Sequence, residues 1–302
     1  MNSHSSGDPA ESQNFGFVRS AFEEKLNRHG YAFQYSVLKE AEKAFDDKRV
    51  SRWRFEAAEV PVRAQNRETR IDFILSRHRS NSQLQRYLIC ECKRVNRARG
   101  NWCFVRAPFV HKKRHFGHQG LLLECAETFD GEFRASAHPG NMIDPYGIGL
   151  AVKSEETGDH FGKSDDDAIE QAASQVLLGV SGFVETLRAN QAIMKAVEGT
   201  VAAILIPVIF TTAELWVSDS NLSDADLTNG KISLASAGFA RSPWIWFSYH
   251  ASPGLRHSVE RRTIPATVPH LMDDDYIRHI AIVNSQGIEQ FLRWSSDSDS
   301  LF

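Results

Sequence analysis

The sequence predicts an α/β protein: a mixed central sheet flanked by helices, in the order helix, strand, strand, strand, helix, strand, with a β-rich insertion after the third strand. Three observations carry this expectation. Two short runs rich in β-branched and aromatic residues, Arg70 to Leu75 and Tyr87 to Lys93, flank a polar segment that suits a hairpin. A broad apolar stripe at helical spacing begins at Ala168. An almost unbroken apolar run from Val201 to Phe210 is what a strand buried on both faces requires.

Residues 1–12 are polar and small, with nothing to bury, and are expected to be disordered. From Asn14, a cap residue, Phe15, Val18, Phe22 and Leu26 recur at helical spacing until Gly30 stops the helix. A second helix is expected from Ser36 to Asp47, with Val37, Ala41, Ala44 and Phe45 on its apolar side. Trp53 to Arg63 alternates as a strand does, and Pro61 confines it to a sheet edge or a strand end. The two hairpin strands come next.

An insertion is expected over residues 94–163. It holds strands at Asn101–Ala107, Leu121–Ala126 and Glu132–Ala137, the last two joined by the turn signal Asp130-Gly131, with loops at Gly140–Gly149 and Ser154–Lys163. Ser164 then caps a helix whose first turn carries Asp165, Asp166 and Asp167 and whose stripe is Ala168, Ile169, Ala172, Ala173, Val176, Leu177, Val180 and Val184. The strand Val201–Phe210 follows, and Thr211–Ser218 continues it after a bend. The core is thus expected over residues 13–220. Residues 221–302 form an extension packed on it: a polar loop, strands at Trp244–His250 and Tyr276–Asn284, a helix from Gln286 to Trp294, and a mobile tail from Ser295.

Composition bounds the function. With 302 residues, 42% hydrophobic and 24% charged, the chain is long enough for a substantial core. No apolar run is long enough for a membrane span and the N-terminus lacks a signal-peptide core, so a cytoplasmic protein without membrane contact is expected. Four cysteines make no disulfide framework, and reduced thiols are expected. A net charge of −3 argues against indiscriminate nucleic-acid binding, but the charge is uneven. From Lys93 to Leu123 no acidic residue occurs, against Arg94, Arg97, Arg99, Lys112, Lys113 and Arg114, a local footprint for a phosphate backbone.

The hairpin carries the chemistry. Alternation points Ile71, Phe73 and Leu75 one way and Arg70, Asp72 and Ile74 the other, while Glu91 and Lys93 share a face with Tyr87 and Ile89. Paired strands would bring Asp72, Glu91 and Lys93 together at one edge of an apolar sheet. Charges withdrawn from water must be paired, neutralised or bound to metal. A divalent cation is one answer. A cross-strand ion pair between Lys93 and Asp72 or Glu91 is the other.

Asp72, then nineteen positions on Glu91-Cys92-Lys93 at the end of an apolar strand, resembles the PD-(D/E)xK nuclease superfamily, with Ile71 in place of its Pro. The resemblance implies a restriction-endonuclease-like core and a Mg²⁺-dependent nuclease acting on DNA, RNA not being excluded, with Mn²⁺ as a substitute. It gives the cation to Asp72, Glu91 and the backbone carbonyl of Cys92, and the attacking water to Lys93. Phe22-Glu23-Glu24-Lys25-Leu26 before Gly30-Tyr31 resembles the superfamily's first helix, which adds Glu23 to the metal site, with Glu24 as the alternative. Gln171 matches the glutamine of a Gln-x-x-x-Tyr motif on the later helix, where Gln175 stands in place of Tyr. Restriction, repair and defence against mobile DNA are all open as contexts. Cutting both strands commonly uses two sites, which leaves a homodimer or a partner protein open as the source of the second.

Two other readings stay open at this point. The fold could persist as a catalytically silent nucleic-acid-binding or assembly module. His111, His115 and His118 with Cys103 or Cys125 could hold zinc, although their spacing fits no standard site. Trp102, Phe104, Phe109 and Phe116, interleaved with the basic residues, suit either a packed subdomain core or a surface that stacks bases.

Overall fold

A computed structural model describes residues 9–47, 50–64, 67–78, 84–95, 100–106, 122–129, 132–139, 145–152, 167–190, 201–234, 238–250 and 277–297. It is an α/β structure with mixed sheets flanked by helices. Helices α1 (Pro9–Arg28) and α2 (Tyr31–Asp46) precede strands β1 (Arg54–Ala64), β2 (Arg67–His78) and β3 (Leu84–Lys93). The insertion supplies β4 (Asn101–Arg106), β5 (Leu122–Phe129), β6 (Glu132–Pro139) and β7 (Ile148–Val152). After α3 (Asp167–Ala189) come β8 (Val201–Thr211), β9 (Glu214–Asn221), β10 (Phe239–Ser242), β11 (Trp244–His250), β12 (Ile277–Asn284) and α4 (Ile288–Asp297).

The main sheet runs β1-β2-β3-β8-β12-β11, with the β5–β6 hairpin also on β8. β1, β2 and β3 form an antiparallel meander, and β8 lies parallel to β3 on one side and to β12 on the other. Pro61 is tolerated because β1 is an edge strand. A parallel β3–β8 pair needs a long crossover, and α3 supplies its helix. A second sheet, ordered β10-β9-β4-β7, takes the remaining strands.

Both faces of the main sheet are covered, so β8 is buried from Ala203 to Phe210. On one face Val37, Ala41 and Ala44 of α2 and Phe291 and Leu292 of α4 pack on Phe73, Leu75, Leu88 and Phe210. On the other, the predicted stripe of α3 is buried from Ile169 to Val184, against Val62, Ile71, Ile74 and Ile89 at one end and Ile209, Ile280 and Ile282 at the other. Gly182 permits the close approach of α3 to β1, since a Cβ there would stand 2.6 Å from Val62.

Several expectations need correction. The segment expected to be disordered is helical from Pro9, so α1 starts ahead of Asn14; residues 1–8 lie outside those described. The apolar spacing of α1 predicted a buried face, yet Val18, Phe22 and Leu26 are exposed, and the helix that packs on the sheet is α2. It begins at Tyr31, five residues before the expected Ser36, because Gly30 takes the left-handed conformation (φ 76°) that lets one helix end and the next start. Of the tail expected from Ser295, Ser295 to Asp297 are instead the last turn of α4, and residues 298–302 lie outside those described. Ser295 accepts a hydrogen bond from the Trp53 indole at 2.8 Å and Ser296 accepts from the Arg52 backbone at 3.0 Å, which ties the end of the helix to the start of β1. Val201–Ser218 is not one bent strand: β9 leaves the main sheet for the second one. The segment given to the loop Gly140–Gly149 contains the start of β7.

Of the four aromatics that suit either packing or base stacking, Trp102 and Phe104 are packed. Both are buried with Ile169, Ala172 and Val176 of α3. Phe109, Phe116, Ser164 to Asp166 and the histidines of the zinc reading lie outside the described residues. Cys90, Cys92 and Cys103 are free thiols, as expected, with burial pushing each thiol pKa up. Among the described residues no helix is long and apolar enough to cross a membrane.

Candidate active site

The β2–β3 ladder is regular from the His78–Gln85 pair to the Phe73–Cys90 pair and stops there. Beyond that point the strands part, and Asp72 and Glu91, the next two residues, stand at the opening. The backbone N–H of Cys92, left without a ladder partner on this side, donates to Asp72 Oδ2 at 2.7 Å. Simple alternation fails here. Phe73 and Leu75 pack in the α2 layer while Ile71 joins Ile74 and Ile89 against α3, so Ile71 and Phe73 do not share a face as the sequence suggested. Across the ladder from this point, Glu59 of β1 has φ 52°.

Glu91 is 8% exposed and Asp72 half-buried. Among the described residues Glu91 has no hydrogen-bond or ion-pair partner. Its carboxyl pKa is pushed up from 4.5 to about 8, first by burial and then by the Asp72 charge, with Lys93 opposing and Glu59 adding to the rise. Asp72 is pushed up from 3.8 to about 6 by burial, against the Cys92 hydrogen bond and Lys93 and with help from Glu59. Burial hinders the ionisation of both carboxyls, with the Asp72 charge adding at Glu91 and the Glu59 charge at both.

Lys93 does not supply that charge by contact. Its ammonium donates to Gln171 Oε1 and to Gln175 Oε1, both at 3.1 Å, and it makes no salt bridge with Asp72 or Glu91. The two glutamines lie one turn apart on α3, which crosses from β3 to β8 and so returns over the end of β3. Gln171 is where the sequence placed it. Gln175, which departs from the Gln-x-x-x-Tyr pattern, does the same work.

The opposite helix contributes an amide that the sequence reading missed. Gln34 of α2 is 4% exposed, and its Nε2 donates to Glu59 Oε1 at 2.7 Å and to the Asp72 carbonyl at 2.9 Å. It follows Phe33 as Glu23 follows Phe22. It also continues the buried stripe Val37, Ala41 and Ala44 one turn back. That periodicity was the available signal: a polar residue at a buried helical position.

The structure does not bring Glu23 into this group. It is exposed on α1, and the third acidic charge acting on Asp72 and Glu91 belongs to Glu59. The reason is the register of the two helices, since α2 and not α1 packs against the sheet. Arg94 is exposed just after Lys93, its guanidinium donating to the Asn27 carbonyl at the end of α1. Arg97, Arg99, Lys112, Lys113 and Arg114 lie outside the described residues.

The donor set fits a hard divalent cation. Among the described residues no group of three or more His, Cys, Asp or Glu side chains is placed to hold a metal ion by itself. Mg²⁺ needs none: it keeps several waters and is held by one or two carboxylates together with substrate phosphate. Glu91, buried and with no partner among the described residues, is where such a cation could be held. Comparison with protein-family models, with curated proteins and with solved structures finds no match to this chain.

Proposed function

We propose that the chain is a Mg²⁺-dependent nuclease of the PD-(D/E)xK type that hydrolyses phosphodiester bonds of DNA, with Mn²⁺ able to substitute. Its restriction-endonuclease-like core would be α2, β1, β2, β3, α3 and β8, the helix-strand-strand-strand-helix-strand order that the superfamily requires. The single observation that carries the reading is the Asp72–Glu91 pair at the parting of β2 and β3, with Glu91 buried and without a partner.

Asp72 and Glu91 would hold the cation, with the Cys92 carbonyl as the backbone ligand that the resemblance supplies. When bound, the cation acidifies water and offsets charge on the phosphoryl oxygens. Lys93 has three N–H donors, and Gln171 and Gln175 occupy two. The third is left for the attacking water or a phosphoryl oxygen. That water forms the new bond to phosphorus as the ester P–O bond breaks. The basic residues Arg94, Arg97, Arg99, Lys112, Lys113 and Arg114 would follow the phosphate backbone. DNA is preferred on the resemblance alone, and a homodimer or partner protein would supply a second site for double-strand cutting.

Plasmid cleavage tests this. Wild-type protein should nick or linearise supercoiled plasmid with Mg²⁺ or Mn²⁺ and not with EDTA, and Lys93→Ala, folded by circular dichroism, should not. If wild-type protein binds DNA and a divalent cation yet cuts neither DNA nor RNA, the silent-module reading replaces this one.

A further inference from the structure

A third carboxylate reaches the site from β1, an element to which the resemblance assigns no site residue. Glu59 stands across from Asp72 in the β1–β2 ladder, because its neighbours Ala58 and Val60 pair with Phe73 and Ile71. Among the described non-glycine residues it alone has a left-handed φ. Such a backbone persists only where its surroundings fix it, and they cluster at functional sites. Gln34 meets the side chain here: its single amide nitrogen donates to both the Glu59 carboxylate and the Asp72 backbone carbonyl. The Glu59 side chain is 31% exposed, and its nearest cation is the outlying Arg70, 3.8 Å from Oε2 and itself largely in solvent. Independently, Glu91 is buried beside Asp72 with no partner among the described residues.

We propose that Glu59 is the third acidic residue of the cation site, with Gln34 as the positioning residue that sets its carboxylate toward Asp72. Glu59 takes the place that the sequence gives to Glu23. It would engage the cation through a bound water, since Mg²⁺ retains several. The proposal rests on the divalent-cation reading of Asp72 and Glu91.

The test is calorimetric titration of the full chain with Mn²⁺ alone, without nucleic acid. Glu59→Gln removes the charge but keeps an oxygen to accept from Gln34, so the strand should hold. Its Mn²⁺ affinity should fall roughly tenfold, the low end for residues that support a metal site, while Glu23→Gln binds as wild type. Gln34→Leu should weaken Mn²⁺ to a similar degree, and the double variant should lose little more, because both act through one carboxylate. If Glu59→Gln does not fold, Glu59→Asn, suited to a left-handed backbone, takes its place with the same expectation. Unchanged affinity in the folded Glu59 variant, or an equal loss in Glu23→Gln, overturns the proposal while leaving Asp72 and Glu91 in place. Strictly additive losses remove Gln34 from it. Wild-type protein that takes up no Mn²⁺ overturns the cation reading itself.

Discussion

The acidic and cationic halves of the candidate site are built differently. Asp72, Glu91 and Glu59 belong to three neighbouring strands and lie where the ladder opens, and one buried amide on the α2 side holds the Glu59 carboxylate and the Asp72 backbone carbonyl. Lys93 ends β3 on the α3 side, half-exposed, between two amides, one of them exposed. The acidic half has raised pKa values, from burial and from the Asp72 and Glu59 charges. The lysine is satisfied as it stands. A structural ion pair would have joined the halves directly, whereas the ammonium bonds the two glutamines instead.

The largest effect expected from breaking this comparison is on the acidic side. Asp72→Ala or Glu91→Ala should abolish cation-dependent cleavage and, in a Mn²⁺ titration, remove binding as well. Retained tight Mn²⁺ binding in both variants would show that the strand opening is not the cation site. Lys93→Ala should lose roughly 10²–10⁴ in turnover, the range for a positioned proton-handling group, yet bind Mn²⁺ as wild type does. Loss of binding and turnover together would merge the halves again.

How much of this contrast could be read from the chain alone depends on where sequence spacing maps directly onto structure. Simple alternation fails at Asp72 and Lys93 turns to the α3 glutamines, but the apolar runs that carry Asp72 and Glu91 are plain, so their place on neighbouring strands was legible. So was α3, whose stripe is buried residue by residue. Glu23 misled because α1 has helical spacing without a surface to bury it, and periodicity does not say which of two adjacent helices meets the sheet. Gln34 was hidden by a helix start set too late. Glu59 gave no signal, since its place in the site depends on a left-handed backbone at a non-glycine residue. The destination of β9 in a second sheet, and the capture of Trp53 by Ser295, depend likewise on tertiary partners that no local pattern encodes.

Proton linkage sharpens the contrast without any nucleic acid. Glu91 titrates at about 8 in the folded chain against 4.5 ordinarily, and Asp72 at about 6 against 3.8. A carboxyl whose pKa rises on folding binds more protons folded than unfolded, so stability is full below the ordinary value and falls as pH climbs toward the folded one. Metal-free protein should therefore lose thermal stability between about pH 4 and pH 8. Glu91→Gln should differ little from wild type at pH 6 and be the more stable at pH 8.5, where wild-type Glu91 is forced to ionise. Saturating Mg²⁺ should reverse the trend, raising the melting temperature more at pH 8.5 than at pH 6. Melting curves in EDTA that are flat over this window, for wild type and variant alike, would mean the carboxyls are not in the surroundings described here.

The smallest expected effects fall on the amides that hold Lys93, and they separate its two supports. Each hydrogen bond is 3.1 Å long, but Gln171 is exposed and Gln175 only partly so. Water can replace an exposed amide almost without loss, whereas a half-buried one leaves the ammonium poorly solvated. Gln175→Ala should thus cost about tenfold in kcat, the low end for supporting residues of such a site, and Gln171→Ala less. The double variant should approach Lys93→Ala, because an ammonium freed of both amides can swing toward the carboxylates and neutralise them. That collapse has its own signature: Mn²⁺ affinity should drop in the double variant although no carboxylate has been touched. Unchanged Mn²⁺ affinity together with near-wild-type kcat would show that Lys93 keeps its place by other means, and that the two halves of the site are held apart by the sheet alone.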